Sequence, residues 1–260
     1  MNAFPFFELP AELRNRICEF ALTAEDPLEA ASEGTDARPY LVLDPDDPQK
    51  AFNQLKNVNK QLRQETADLE LRYNTLSFNH DNTGTPLDEV FNFIEFLGDE
   101  KRNWVRKIVL NPNLFGEPDP IQNWYYEVKR LDRLCCDNPH MMVRYLIYTE
   151  HYDYENLEGT EHLLYDMAMH LLQLRGVSLP GLKAIELDEE FQEQFEFWKE
   201  ANETYGGTQC TPLVAPNLRF YPWRIKLDEE LLEHIYLDME GYDYAADWMT
   251  AVVIWAGYGI

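Results

Sequence analysis

The chain has 260 residues, of which 45% are hydrophobic, so it can build a substantial core in one or two domains. It carries 47 acidic and only 22 basic residues, which gives a formal net charge of −25 at pH 7. A chain this acidic lacks the basic footprint with which nucleic-acid-binding proteins neutralise phosphates, and anionic lipid would repel it. The composition therefore argues against a nucleic-acid partner and a membrane partner.

The first predicted element is a short amphipathic helix over residues 10–22. Pro10 suits the first turn of a helix, because the N–H that proline lacks would have no partner there. Apolar side chains then recur at helical spacing and form one stripe: Leu13, Ile17, Phe20 and Ala21. A solitary helix cannot bury such a stripe by itself, so the stripe packs either on the rest of the chain or on a partner.

The next segments alternate between turn-like and periodic sequence. Residues 25–36 are acidic and rich in small side chains, which predicts an exposed loop. Residues 39–43 predict a short strand. A second, longer helix with at most one break is then predicted over residues 52–69, and residues 74–78 predict another brief strand.

Two of these blocks resemble a known family. The sequence LPAEL at residues 9–13, followed by Ile17, is similar to the opening of the F-box, a helical module that docks on the adaptor subunit of cullin-type ubiquitin ligases. With the second block at residues 57–78, it resembles a group of filamentous-fungal F-box-like proteins, most of them uncharacterised. The resemblance implies an F-box-like helical region at residues 1–80 with an acidic insertion at residues 23–50. It also implies which residues contact the adaptor: Leu9, Pro10, Leu13, Ile17, Val58 and Leu62.

Helix-then-strand cycles are predicted after residue 80. A helix begins at Pro86 and stops at Gly98, and a strand follows at residues 106–110. Two further cycles place helices at residues 121–134 and 160–176, each followed by a strand, at residues 142–148 and 182–187. Another strand is predicted over residues 218–227, interrupted by Pro222.

This rhythm predicts parallel strands joined by crossover helices, and hence the α/β class. The expected architecture for residues 81–260 is an irregular α/β solenoid-like interaction domain with short parallel strands, closed by a cap over residues 228–260. An ordinary α/β or α+β domain whose spacing is coincidental remains the alternative.

The sequence contains no convincing catalytic constellation: no phosphate-binding loop, dinucleotide fingerprint, nucleophile elbow or zinc-protease motif. His162 and His170 share a helix face, but the apolar residues around them favour a packing role. The cysteines show no metal-site spacing and are expected to be reduced: Cys18, Cys135, Cys136 and Cys210. We therefore expect no enzyme activity, no metal and no organic cofactor.

Three further features bear on location and partners. No secretory signal and no apolar run long enough to span a bilayer are recognised, so an intracellular protein, cytoplasmic or nuclear, is expected. An aromatic segment around residues 145–155 could line a sugar or peptide groove. Two basic clusters, at residues 101–107 and 129–133, are expected to pair with nearby acids, and an acid- or phosphate-binding site there is the alternative.

The expected function is that of a non-enzymatic, F-box-like protein-interaction protein. In this interpretation residues 1–80 dock on a ubiquitin-ligase adaptor, and residues 81–260 recruit an unknown target protein. One alternative is a single-domain fungal α/β binding module whose N-terminal helices are only structural. A less favoured alternative is an unrecognised enzyme that uses the aromatic and acidic residues around 145–155.

Overall fold

The computed structural model describes residues 6–31, 39–44, 51–79, 86–111, 120–147, 171, 175, 212–222, 250, 253–255 and 257–260. These residues form a mixed α/β fold with five α-helices and six strands in mostly parallel sheet structure. The α/β class predicted from the helix–strand rhythm is therefore confirmed. No helix in this part of the chain has the length and apolar character needed to cross a membrane.

The chain divides into two compact units. The first comprises Met1–Leu110 with His140–Met142, and the second comprises Asn111–Pro139 with Val143–Ile260. This division differs from the predicted boundary at residue 80, which falls inside the first unit. Strand and helix pack together across that point, since the rings of Phe78 and Phe93 meet edge to face with centroids 5.5 Å apart.

The helices of the first unit are α1 (Ala11–Ala21), α2 (Lys60–Thr66), α3 (Glu70–Tyr73) and α4 (Pro86–Arg102). Its strands are β1 (Leu28–Ala31), β2 (Tyr40–Val42), β3 (Thr75–Asn79) and β4 (Lys107–Asn111). The strand order is β2-β1-β3-β4. β1 pairs antiparallel with β2, with Ala30 opposite Leu41, and parallel with β3, with Leu28 opposite Leu76.

Strand β1 corrects the prediction of an exposed loop over residues 25–36. Leu28 is fully buried, and the other three residues of β1 are partly buried. The segment LEAA shows no apolar alternation, so its own sequence gives no strand signal. Hydrogen bonding to a neighbour on each side, rather than local propensity, makes this segment a strand.

The second helical block, predicted as one long helix with at most one break, is divided into three pieces. A 3₁₀ turn at Leu55–Asn57 precedes α2, and α3 follows after a short junction. The side chain of Asn59 caps α2 by accepting a hydrogen bond from the Leu62 N–H at 2.9 Å. At the α2–α3 junction Asp68 adopts a left-handed conformation with φ of 63°, which ends one helix before the next begins.

Helix α4 begins at Pro86 as predicted, and its helical geometry is interrupted at Gly98, where φ is 66° and ψ is 173°. The core of the first unit lies between this helix and the sheet. It is formed by buried apolar side chains: Leu28, Leu41, Val42, Leu76, Phe78, Leu87, Val90, Phe93, Ile94, Ile108 and Leu110.

The described elements of the second unit are α5 (Pro120–Asp137), the parallel pair β5 (Met142–Ile147) and β6 (Leu218–Pro222), and a few residues near the end of the chain. β6 is described up to Pro222, and the rest of the strand predicted over residues 218–227 lies outside the described residues. Ile260 extends the backbone pairing of β6, because its N–H and C=O both bond to Phe220, at 3.0 and 2.9 Å. The predicted helix at 160–176 is described only at residues 171 and 175. The strand predicted at 182–187 and most of the predicted cap lie outside the described residues.

Candidate docking face

The orientation of α1 is set by one face of the helix. Cys18 and Leu22 on this face are buried. Arg14, one turn before Cys18, donates to the Leu9 carbonyl at 2.8 Å and forms an ion pair with Glu65 of α2 at 3.4 Å. The spacing of these three residues, four apart, makes them one side of the helix. This packed side of α1 is what joins it to the first unit.

The end of α1 is held by a second contact. The Asn74 amide donates to the Leu22 carbonyl, and its oxygen accepts from the Ala24 N–H, both at 2.6 Å. Asn74 is itself buried and also donates to the Glu70 carbonyl at 2.9 Å. The helix therefore has a fixed position on the unit, anchored at its middle and at its C-terminal end.

The apolar stripe predicted from periodicity lies on a different side of the same helix. Leu13 is 50% exposed, Ile17 is 43% exposed and Phe20 is 87% exposed. These three residues are spaced i, i+4 and i+7, so they share one side of α1. We call Leu13, Ile17 and Phe20 the docking face. None of these three side chains is fully buried against its own unit.

The other predicted contact residues divide between surface and core. Pro10 is exposed, Leu9 is partly buried, and Val58, two residues before α2, is 65% exposed. Leu62 differs from them because it is only 8% exposed and packs on the inner side of α2. Phe20 was recognised as part of the stripe but not as a contact residue. Phe20 follows Ile17 by three residues, and this helical spacing is the sequence signal that puts its side chain on the same side of α1 as Leu13 and Ile17.

The docking face offers apolar contact and no reactive group. Cys18 lies on the packed side, where burial raises the pKa of its thiol, with Glu65 adding to the rise and Arg14 opposing it. A buried thiol with a raised pKa is a poor nucleophile. Across the part of the chain that the structure describes, no three His, Cys, Asp or Glu side chains cluster closely enough to hold a metal ion.

The basic clusters show both local and distant pairing. Arg102 lies 3.6 Å from Asp99 of the same helix, as predicted, whereas Lys101 pairs with Asp68 at 2.5 Å. In the second unit the Asp132 carboxylate accepts hydrogen bonds from the backbone N–H groups of Val214 and Ala215, at 3.0 and 2.9 Å. The aromatic segment at 148–155, His162, His170 and Cys210 lie outside the described residues.

No family model, no curated protein and no solved structure matches this chain.

Proposed function

We propose that this protein is a non-enzymatic interaction protein that binds a protein partner through the docking face. Following the F-box resemblance, the partner is the adaptor subunit of a cullin-type ubiquitin ligase. Pro10 and Val58, which are also exposed, belong to the apolar contact set that the resemblance implies. In this proposal the rest of the chain, an irregular solenoid-like α/β domain, recruits a target protein.

The observation that carries the proposal is that α1 is anchored by one side and exposes its apolar side. A helix that only capped its own domain would turn Leu13, Ile17 and Phe20 inward, because burying them stabilises the fold. Here Arg14, Cys18 and Leu22 occupy the packed positions instead. An exposed row of large apolar side chains on a fixed helix is the form in which helices present anchors to a groove.

The binding free energy expected from burying the docking face is sufficient for a specific complex. Burying two aliphatic side chains such as Leu13 and Ile17 contributes on the order of 3–5 kcal/mol, which corresponds to two or three decades of affinity. Phe20 adds further area, since it is the most exposed of the three. An anchored helix also loses little conformational entropy on binding, which favours the complex.

The test is a pull-down of the purified adaptor subunit with the variant Leu13→Asp/Ile17→Asp, together with its melting temperature. We expect binding to be lost and the melting temperature to stay within a few degrees of wild type, because both positions are exposed. The matched control is Asn15→Asp/Gln64→Asp, which adds two negative charges at exposed positions outside the docking face. This control should bind like wild type.

The structural alternative predicts a different pattern. If the helix only supports the fold, wild type should fail to bind the adaptor and Leu13→Asp/Ile17→Asp should unfold. Leu22→Asp provides the reference for true core disruption, since Leu22 is buried and a carboxylate there would have no partner. A large decrease of the melting temperature in both Leu22→Asp and the docking-face variant would contradict the proposal.

A further inference from the structure

The first unit contains a cavity of about 510 Å³. It lies between β2, the 3₁₀ turn Leu55–Asn57, the α2–α3 junction and α4. This volume falls within the range of roughly 300–1,000 Å³ that is typical of small-molecule sites. The docking face contributes no residue to the lining. The cavity is therefore a second candidate site, distinct from α1.

The lining combines an apolar, partly aromatic set with several charged groups. The first set is Tyr40, Leu41, Leu71, Phe93, Phe96 and Leu97, and the charged groups are Lys56, Arg63, Lys101, Asp68 and Glu70. Three cations at one cavity are notable in a chain with 22 basic residues and a net charge of −25. Which of these charges are already neutralised decides what the cavity can bind.

Both acids of the cavity have partners. The Asp68 carboxylate lies 2.5 Å from the Lys101 ammonium. The Glu70 carboxylate accepts a hydrogen bond from the Asn53 amide at 2.7 Å. Burial raises the pKa of Glu70, with its hydrogen bonds and Lys56 opposing the rise.

The two remaining cations are Lys56 and Arg63. The Arg63 Nε donates to the Lys56 backbone carbonyl at 2.9 Å, which holds the guanidinium beside the 3₁₀ turn. Among the described residues no carboxylate forms an ion pair with either side chain within 4.0 Å. The cavity thus has two cationic groups whose charge is not taken up by a direct partner, next to an apolar wall.

We propose that this cavity binds a small anionic ligand with an apolar or aromatic body. The anionic group contacts Lys56 and Arg63, because a guanidinium presents several donors that match the oxygens of a carboxylate, phosphate or sulfonate. The body packs on Phe93, Phe96 and Leu97, where burying apolar area stabilises the complex. A cationic ligand is disfavoured, since Asp68 is engaged by Lys101.

The test uses the fluorescence of anilinonaphthalene sulfonate, an aromatic anion with the proposed chemistry, titrated against the full chain. We expect saturable binding to wild type that weakens about tenfold in Lys56→Met and in Arg63→Met, because each loses a charge-assisted contact. Methionine keeps the length and the apolar stem of the original side chain. The neutral analogue phenylnaphthylamine should bind equally to wild type and to both variants.

Two matched controls remove the same charge at exposed positions that do not line the cavity: Lys60→Met on α2 and Arg72→Met on α3. They should bind the anionic probe like wild type. The variant Leu13→Asp/Ile17→Asp should also keep full binding, which separates this site from the docking face. A far-UV spectrum and a melting temperature for each variant exclude binding by a partly unfolded state.

Several outcomes overturn the proposal. The first is that wild type does not bind the anionic probe saturably. The second is that Lys60→Met and Arg72→Met lose as much probe affinity as the cavity variants. The third is that the docking-face variant loses probe affinity while Lys56→Met keeps it. If Lys56→Met fails to fold, Lys56→Arg decides the question, because it keeps the charge and should keep the affinity within a few-fold. Loss of the anionic probe in this charge-conserving variant would contradict the site.

Discussion

The side-chain amide of Asn74 closes the C-terminal end of α1 by donating a hydrogen bond to the Leu22 carbonyl at 2.6 Å. The two residues are 52 positions apart, so the contact fixes the first helix on the segment between α3 and β3. The amide oxygen also accepts from the Ala24 N–H. One buried side chain thus satisfies backbone groups on both sides of the turn after α1.

We expect Asn74→Ala to lower the free energy of unfolding by about 2–3 kcal/mol, because it leaves buried backbone groups without partners. Urea denaturation of the purified protein measures this change. Asn57→Ala is the control, since Asn57 is exposed and its side chain makes only a 3.3 Å contact with Gln54. That variant should stay within about 0.5 kcal/mol of wild type, and an equal effect of both changes would contradict the role given to Asn74.

Three glycines allow backbone strain to be separated from steric overlap. Gly98 has a positive φ of 66° and open space where a Cβ would lie. Gly259 has a positive φ of 72°, and its Cβ would lie 2.8 Å from the Tyr221 ring. Gly257 has open space and no positive φ. We expect Gly98→Ala to cost about 1–3 kcal/mol from backbone strain alone.

Gly259→Ala should cost more than Gly98→Ala, because the added methyl group also meets a ring. Gly257→Ala should be neutral or slightly stabilising, as expected for a helical glycine. Thermal and urea unfolding of the three variants measure the order of their stabilities directly. A neutral Gly98→Ala variant would show that the break in α4 does not depend on glycine.

Glu70 makes a specific contribution to the pH dependence of stability. Burial raises the pKa of this carboxyl above its ordinary value of 4.5 in the folded protein, and the hydrogen bond from Asn53 only partly offsets it. The folded state therefore holds its proton more tightly than the unfolded state. The resulting stabilisation is complete below the unfolded pKa and is lost as pH rises through the folded pKa.

Glu70→Gln removes this titration and keeps an oxygen that can accept from Asn53. We expect the stability of wild type minus that of Glu70→Gln to fall as pH rises from about 4 toward neutrality. Urea denaturation of both proteins across this range measures the difference, and the other carboxyl groups cancel in the subtraction. A difference that is flat or that rises with pH would mean that the folded-state pKa is not raised.

Helical periodicity predicted α1 and its stripe, but it could not tell which side of the helix packs inward. The inward side depends on Arg14, whose ion-pair partner Glu65 lies 51 residues away and on another helix. An arginine and a cysteine give no apolar pattern, although both hold the packed position here. The sequence near α1 therefore predicts which side chains form the apolar stripe, but not what anchors the helix.

The sequence predicts β4 and β5, because each is a short apolar run that follows a helical pattern. β1 was missed because its burial comes from neighbours on both edges, and long-range pairing leaves no local pattern. The sequence allows one break in the second helical block but does not place it at Asp68, since an aspartate enters the left-handed region only where its surroundings favour it. The cavity has no local sequence signal either, because its lining comes from four separate segments between residues 39 and 101.

The position of β1 between β2 and β3 determines how deletions in this region should behave in genetic experiments. Many docking modules are exchangeable cassettes that can be removed or moved between proteins without harm to the rest. Here the helix that carries the docking face continues within a few residues into an interior strand of its unit. Removing both would leave the backbone groups of β3 open to pairing with other molecules. A deletion allele of this region should therefore behave as a misfolding allele, whereas a substitution at Phe20 should separate recruitment from folding in the cell.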